Sequence, residues 1–219
     1  MAFNGQLTNV PIIAERRDGI ELSFNDMCNG VSLRGDDLRA VDITLSGSCE
    51  FTFLDTLGDT VTITSGGNFR VDELRRGTVV VSNNAALTVK SAQSTPTVTL
   101  SANANLNLDV TPTELSIPTD LIVTPSNGAT ISFLSGTVNV LGADPWNGAS
   151  VMLDIQGGSG CFQEAPTLPM LTLTNGEISK DFTVGEIKFI GGTVLNSQIT
   201  VTSSADFEVE ALFNNVSVT

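Results

Sequence analysis

The stretch "TVTITSGGNFRV", residues 60–71, contains two short segments of alternating apolar and polar residues, joined by a glycine-rich corner. Alternation with a period of two is typical of β-strands that have one buried and one solvated face. Similar phrases follow as "TVVVSNNAALTV" (78–89) and "TVTLSANANLNL" (97–108), and an earlier copy, "DITLSGSCEFTF", occupies 42–53. The sequence therefore repeats one unit of strand, corner and strand four times.

The spacing of the four copies is nearly constant. Their first strands begin 18, 18 and 19 residues apart, at Asp42, Thr60, Thr78 and Thr97. The second strand of each copy is predicted to begin 8 residues after the first, at Glu50, Asn68, Ala86 and Asn105. A fixed period combined with a fixed internal register is the signature of a repeat architecture.

Alternation within these strands assigns sixteen apolar side chains to one face: Ile43, Leu45, Phe51, Phe53, Val61, Ile63, Phe69, Val71, Val79, Val81, Leu87, Val89, Val98, Leu100, Leu106 and Leu108. A unit this short cannot bury its apolar face alone, but units stacked about 4.8 Å apart bury a continuous column. We therefore predict an all-β fold, a β-solenoid with coils of about 18 residues. An antiparallel β-meander or sandwich is the alternative, because hairpins also give period-two strands.

Four segments are expected along the chain. Residues 1–41 are predicted to form N-terminal strands and a capping or docking segment, and 42–140 the solenoid repeats. Residues 141–170 are rich in Gly and Pro and predict long loops around one strand, while 171–219 predict a C-terminal β region.

Several local patterns add detail to this division. A hairpin is expected at Asn175–Gly176, and "QGGSGC" (156–161) is interpreted as a flexible loop. Pro112, Pro118 and Pro125 are expected at corners or sheet edges, because proline donates no ladder hydrogen bond.

The charge balance argues against two classes of partner. Asp and Glu total 24 against 10 Lys and Arg, a formal net charge of -14. Nucleic-acid backbones and anionic membranes would repel such a surface, so neither partner is expected. The sequence also lacks a run of about 20 apolar residues, the length that a membrane-spanning helix needs.

The sequence lacks the residue that most often acts as a general base. It contains no His and no Tyr, which excludes Ser-His and Cys-His nucleophile pairs. Cys28, Cys49 and Cys161 are far apart without CxxC spacing, so a metal site is unsupported and at most one intramolecular disulfide is possible. Acidic pairs such as Asp72 and Glu73 lie at predicted corners, where Arg75 and Arg76 offer ion-pair partners. We expect a protein that is not an enzyme and has no cofactor, metal or catalytic residue.

The recurring pattern T-V-x-[IVL]-[ST] followed by N-[FL]-x-[VL], within residues 42–108, resembles short-coil β-helices of bacteriophage spikes and filamentous-haemagglutinin-like adhesins. The resemblance covers about a third of the chain. It implies a structural protein of the virion, a capsid decoration (cement) protein or a short fibre or spike. Such a protein would be a homotrimer without cofactor and would bind the major capsid protein or another virion protein.

Two other functions are compatible with a β-solenoid. An adhesin would share the coil but is expected to carry a signal sequence and many more repeats. Ice binding is suggested by the threonine pairs Thr60/Thr62 and Thr97/Thr99, although Asp42 and Val80 interrupt the array. The prolines after residue 110 are expected to degrade it further.

Five residues are candidates for docking on a partner. Arg16, Arg17, Arg34 and Arg39 comprise four of the chain's ten cationic residues and lie within its first 40 positions. Arginine forks pair bidentately with carboxylates, so these residues are expected to dock on an acidic lattice surface or a neighbouring subunit. Trp146, the only tryptophan, is either packed under a turn or an exposed anchor for a partner.

Overall fold

The computed structural model describes the backbone of residues 2–3, 7–8, 11–14, 20–24, 28–35, 42–46, 48–55, 60–63, 66–142, 145–164, 167–179, 181–195, 198–207, 211–214 and 216–219. Side chains are described for Leu54 and from residue 60 onward within these ranges, except at 111–113, 179, 205–207 and 211–214. The described residues form 24 strands and contain no helix.

The strands, in chain order, are β1 (Ala2–Phe3), β2 (Leu7–Thr8), β3 (Pro11–Ala14), β4 (Ile20–Phe24), β5 (Cys28–Gly35), β6 (Asp42–Ser46), β7 (Ser48–Asp55), β8 (Thr60–Ile63), β9 (Asn68–Leu74), β10 (Thr78–Val81), β11 (Ala86–Ala92), β12 (Thr97–Leu100), β13 (Asn105–Ile117), β14 (Ile122–Pro125), β15 (Thr130–Val140), β16 (Met152–Ile155), β17 (Ser159–Phe162), β18 (Thr167–Leu173), β19 (Glu177–Ser179), β20 (Phe182–Phe189), β21 (Gly192–Leu195), β22 (Gln198–Phe207), β23 (Ala211–Asn214) and β24 (Ser217–Val218).

The described strands pair in parallel with strands of the neighbouring coils. β8 pairs with β10, and β9 with β11, rather than β8 with β9 across the corner that joins them. The chain is a parallel β-solenoid of about 7 turns with about 19 residues per coil. The predicted solenoid is confirmed and the antiparallel alternative is wrong, because each strand pairs in parallel with its counterparts in neighbouring coils and not with the strand before it in the chain.

The predicted register is confirmed for the first strands. Asp42 pairs with Thr60, Thr60 with Thr78, and Thr78 with Thr97. These strands belong to a seven-stranded sheet in the order β1-β4-β6-β8-β10-β12-β14, which we call the first face.

The register of the second strands is confirmed in three of the four copies, where Asn68, Ala86 and Asn105 align. In the first copy Asn68 pairs with Ser48, not with the predicted Glu50. One residue joins β6 to β7, whereas four join β8 to β9, so the shorter corner shifts the register by two.

The predicted buried column is confirmed for the residues whose side chains are described. Twelve of the sixteen are at most 2% exposed: Val61, Ile63, Phe69, Val71, Val79, Val81, Leu87, Val89, Val98, Leu100, Leu106 and Leu108. The column continues beyond the repeats through Ile131, Leu153, Leu171 and Ile187, and the same apolar core includes Ile199. Each coil is thus stabilised by apolar burial against its two neighbours.

A tight turn recurs at the corner after the first face, which we call the first corner. The amide of the fourth residue donates to the carbonyl of the first at 3.0–3.1 Å, in residues 82–85, 101–104, 126–129 and 146–149. The third residue has a positive φ in every turn, at Asn84, Asn103, Gly128 and Gly148. Asn and Gly tolerate this left-handed conformation best, which explains why they occupy the position.

The bend between the strands that follow, which we call the second corner, is built differently in the two halves of the chain. In the N-terminal half β9, β11, β13 and β15 continue through it without a break. After β15 the chain interrupts the strand there, at 156–158, 174–176 and 190–191. The strands β18, β20 and β22 instead run unbroken through the position of the first corner.

Stacked glycines line the second corner in the C-terminal half. One column of paired residues stacks in successive coils, and a glycine precedes each of its members: Gly136, Gly158, Gly176 and Gly192. A Cβ on Gly158 would lie 3.2 Å from the Gly136 carbonyl oxygen, and a Cβ on Gly176 or Gly192 would collide with the carbonyl of the glycine before it. Each backbone therefore lies directly against the next, where no side chain fits.

Three expectations for the C-terminal half are corrected by this corner. Asn175–Gly176 is not a hairpin, because β18 and β19 pair with other coils instead of each other. "QGGSGC" is not a flexible loop, since its first two glycines lie in the second corner and its last three residues belong to β17. Residues 141–170 contain β16, β17 and the start of β18, not one strand.

Parallel pairing also extends on both sides of residues 42–140. β4 pairs with β6 and β5 with β7, while β22 pairs with β24 at the other end. The segments predicted as separate therefore share one architecture.

Two of the three prolines lie where they were expected. Pro118 begins a turn, and Pro125 ends β14, the edge strand of the first face. The amides of Ile122 and Ser126 donate toward β12, so the nitrogen of Pro125 faces the next coil, and its missing N–H helps to end the sheet. Pro112 lies in β13, where the register shifts between Asp109 and Glu114.

Candidate interaction surfaces

The predicted docking arginines lie in the least described part of the chain. Arg16, Arg17 and Arg39 fall outside the described residues. Arg34 belongs to β5, where its backbone is in register with Ile13 and Asp55. Their docking role stays a prediction.

Trp146 is the first residue of the fourth first-corner turn and is only 3% exposed. It occupies the position that Ser82, Ser101 and Ser126 hold in the preceding coils. Its side chain belongs to the apolar core, although the indole Nε1 lacks a hydrogen-bond partner among the described residues. Packing under a turn therefore describes Trp146, and a side chain this buried offers no exposed anchor for a partner.

A cluster of charged side chains lies on the outer side of the second corner in the N-terminal half. Arg70 Nη2 is 2.6 Å from Asp109 Oδ2, and Lys90 Nζ is 2.6 Å from Asp72 Oδ1. The Ser135 hydroxyl donates to Asp109 Oδ1 at 2.6 Å. Arg70 and Asp109 are 39 residues apart, so this pair connects coils that are two steps apart. We call these five residues the charged cluster.

The surroundings of Asp109 hold its carboxyl pKa below its usual value. The Ser135 hydrogen bond is the largest cause; burial opposes it, while the hydrogen bond and charge of Arg70 and the charge of Lys90 lower the pKa further. The Arg70 and Asp109 side chains are 36% and 23% exposed, so solvent screens their attraction. A pair in this setting contributes on the order of 1 kcal/mol.

The predicted ion-paired turn at Asp72–Arg76 is confirmed in part. Arg75 Nε donates to Glu73 Oε1 at 3.1 Å. Asp72 instead pairs with Lys90 of the next coil. Both acids thus have cationic partners, and the Asp72–Lys90 pair also links two neighbouring coils.

The outer side of β8, β10, β12 and β14 forms a second, contrasting surface. It presents eight outward side chains, six of them threonine: Thr60, Thr62, Thr78, Val80, Thr97, Thr99, Ile122 and Thr124. All are partly or fully exposed. We call this surface the threonine face. In β14 the array continues with Thr124, but Ile122 stands in line with Thr97, and Pro125 points inward.

Other chemical features are sparse in the described part of the chain. No group of three or more His, Cys, Asp or Glu residues is placed there to hold a metal ion. Cys161 is a free thiol, half-buried, with its Sγ 3.8 Å from the Ser159 hydroxyl. In the same ranges no helix has the length and apolar character needed to cross a membrane.

The sequence identified the outward threonines and allowed a turn at Trp146, but it did not predict the charged cluster or the equivalence of that turn with the first corners of the preceding coils. The cluster joins residues from different repeats, and no local spacing signals it. The turn did have a signal, because "PSNGA" (125–129) recurs as "PWNGA" (145–149) with tryptophan in the place of serine.

No family model matches the sequence, and comparisons with curated proteins and with solved structures find no match.

Proposed function

We propose that the chain is a structural, non-enzymatic protein of a bacteriophage particle, a capsid decoration protein or a short spike that binds the major capsid protein or another virion protein. The observation that carries the proposal is the parallel ladder with its continuous apolar column. Such a body is stabilised along its whole length, as a component exposed on a particle requires.

The chemistry of the described surface supports a role without catalysis. Asp72 and Asp109 are engaged by Lys90 and Arg70, which favours a structural task for the most conspicuous acids. A general acid or nucleophile needs an accessible carboxyl group aimed at a substrate, rather than one held between neighbouring coils.

The neighbouring genes provide the first test of the proposal. We expect a capsid, portal or tail gene beside the gene for this chain. The chain is then expressed with those proteins, and assembled particles are sedimented; the chain should sediment with them. Its absence from the particle fraction at saturating concentration would contradict the proposal.

The arginine pairs of the chain offer a matched test of docking. The variant R16S/R17S removes a predicted docking pair, and R75S/R76S removes two equal charges from a corner of the solenoid. If the N-terminal arginines bind the particle, the first variant should weaken particle binding about tenfold, which corresponds to about 1.4 kcal/mol. The second should bind like the wild type. Equal binding by both variants would eliminate the docking role of Arg16 and Arg17.

Homotrimer formation is tested by light scattering of the purified chain. We expect a molar mass of three chains, since the resemblance to phage spikes implies three copies. A monomer at every accessible concentration would exclude assembly in solution, and the particle experiment would then report whether copies assemble only on the capsid.

The ice-binding alternative is favoured by one observation, the in-register threonine pairs of β8 and β12, which the valine of β10 interrupts. Thermal hysteresis of a dilute solution tests it directly. A solution that freezes and melts at the same temperature removes this alternative.

A further inference from the structure

We propose that the threonine face is the surface through which copies of this chain bind one another. The inference rests on the proposed oligomeric structural role and adds the place of the contact. None of the eight side chains of the threonine face carries a charge, whereas the whole chain has a formal net charge of -14. Like-charged copies repel, so contact through an uncharged surface costs least.

The other described faces are less suitable for self-contact. The surface formed by β9, β11 and the strands stacked on them carries Arg70, Asp154, Glu186 and Lys188. Glu114 and Glu177 lie along the strands that follow the second corner. Between identical copies, such acids would face one another or require a precise partner, and buried unpaired charges are costly.

The side chains of the threonine face are also prepared for packing. All eight are β-branched, so their χ1 angles are restricted and little rotamer entropy is lost when a partner covers them. The six threonines are partly or fully exposed, and a hydroxyl can both donate and accept a hydrogen bond across an interface.

The size of this surface sets the expected affinity. The threonine face has four strands about 4.8 Å apart, each four residues long, so it is smaller than the roughly 800 Å² per partner of a standard interface. We expect dissociation constants of tens to hundreds of micromolar, equivalent to about −5 to −6 kcal/mol. Copies held side by side on a particle would associate more strongly because their effective concentration is higher.

Charge substitutions at the centre of the face provide the test. The variant T62K/T99K places two ammonium groups on the threonine face, and T130K/T172K places two on the outer side of β15 and β18 as a control. Sedimentation equilibrium of both variants and the wild type is measured from about 10 to 1,000 µM, a range that brackets the expected constant. Circular dichroism and thermal unfolding establish that both variants fold.

The expected result is that wild type and control associate, while T62K/T99K shows at least tenfold weaker association. T62V/T99V, which preserves side-chain shape, should retain at least part of the association. Equal association of the two lysine variants would overturn the inference, as would a wild type that stays monomeric throughout. A monomeric wild type with thermal hysteresis would assign the face to ice. Particle sedimentation is measured separately, so binding to particles without self-association defeats this inference alone.

Discussion

The two halves of the solenoid make their sharpest turns at different corners. In the N-terminal half the sharp turn is the first corner, with one positive-φ residue per coil, and side chains fill the second corner. In the C-terminal half the sharp turn is the second corner, where the backbones of stacked glycines touch. The difference teaches that the residue types at a corner must suit the coils above and below it, because each residue lies against its counterparts in those coils.

The coil that contains Trp146 marks the change between the two halves, since it has a first-corner turn and also a break at 156–158. Trp146→Ala should lower the free energy of unfolding by about 4 kcal/mol, because it empties a buried site. Ser126→Ala, at the equivalent exposed position one coil earlier, should cost less than about 1 kcal/mol. Urea unfolding of both variants measures the difference. Similar losses would show that the tryptophan does not fill the core at this point.

Alanine substitution of one glycine in each half distinguishes the cost of a positive φ from the cost of a collision between the new Cβ and a neighbouring backbone. Gly192→Ala should cost about 3 kcal/mol, since Gly192 has φ +95° and its new Cβ would strike the Gly176 carbonyl. Gly66→Ala should cost only about 1–2 kcal/mol, because Gly66 has φ +78° but open space around the new Cβ. Denaturant midpoints of the two variants provide the comparison. Equal midpoints would mean that the stacked glycines are needed only for their positive φ and not for the close approach of neighbouring backbones.

Substitutions at the first corner of the N-terminal half measure the cost of a positive φ without any collision. Asn103 has φ +57° and an exposed side chain. Asn103→Ala should destabilise the chain by about 1 kcal/mol, whereas Asn103→Gly should change the free energy of unfolding by only a few tenths of a kcal/mol. Thermal unfolding of both variants checks this order. A glycine variant as unstable as the alanine variant would point to a side-chain contact instead of backbone conformation.

The charged cluster of the N-terminal half predicts a dependence on pH. The pKa of Asp109 is lowered in the folded state, so its contribution is fully present above the unfolded value of about 3.9 and is lost as the pH falls through the folded pKa. Asp109→Asn should therefore destabilise by about 1 kcal/mol at pH 7, with the difference shrinking in acid. Exposed Glu186→Gln is the control. A constant difference from pH 7 to about pH 3 would contradict the assignment.

The sequence was most informative where the repeat is regular. Residues 60–108 predicted both the coil and the register because inward and outward side chains recur at the same positions in each copy. The first copy misled at Glu50, where a shorter corner changes the register without altering the alternation. In the C-terminal half the steps between paired residues vary, from 18 between Met152 and Met170 to 16 between Met170 and Glu186, so no single period could reveal the coils.

The site was harder to anticipate than the fold. The threonine face follows directly from strand alternation, whereas the charged cluster depends on Arg70 reaching a residue two coils away. Asn-Gly at 175–176 has the composition of a hairpin, and only stacking on Gly158 makes it a solenoid corner. Long-range stacking decides these cases, and local sequence patterns do not encode it.

The parallel ladder has a mechanical consequence. Hydrogen bonds between coils, such as those from β8 through β10 and β12 to β14, run along the axis of the solenoid. A force that pulls along this axis acts equally on the ladders between each pair of neighbouring coils. The coils should therefore separate first where the ladders between them are weakest. The step from Thr97 to Ile122, 25 residues against 18 between Thr60 and Thr78, lengthens the connection at one junction, but β13 and β15 pair there at nine residues, against four between β11 and β13. Under tension, we expect the molecule to part between β11 and β13 before it parts between β13 and β15.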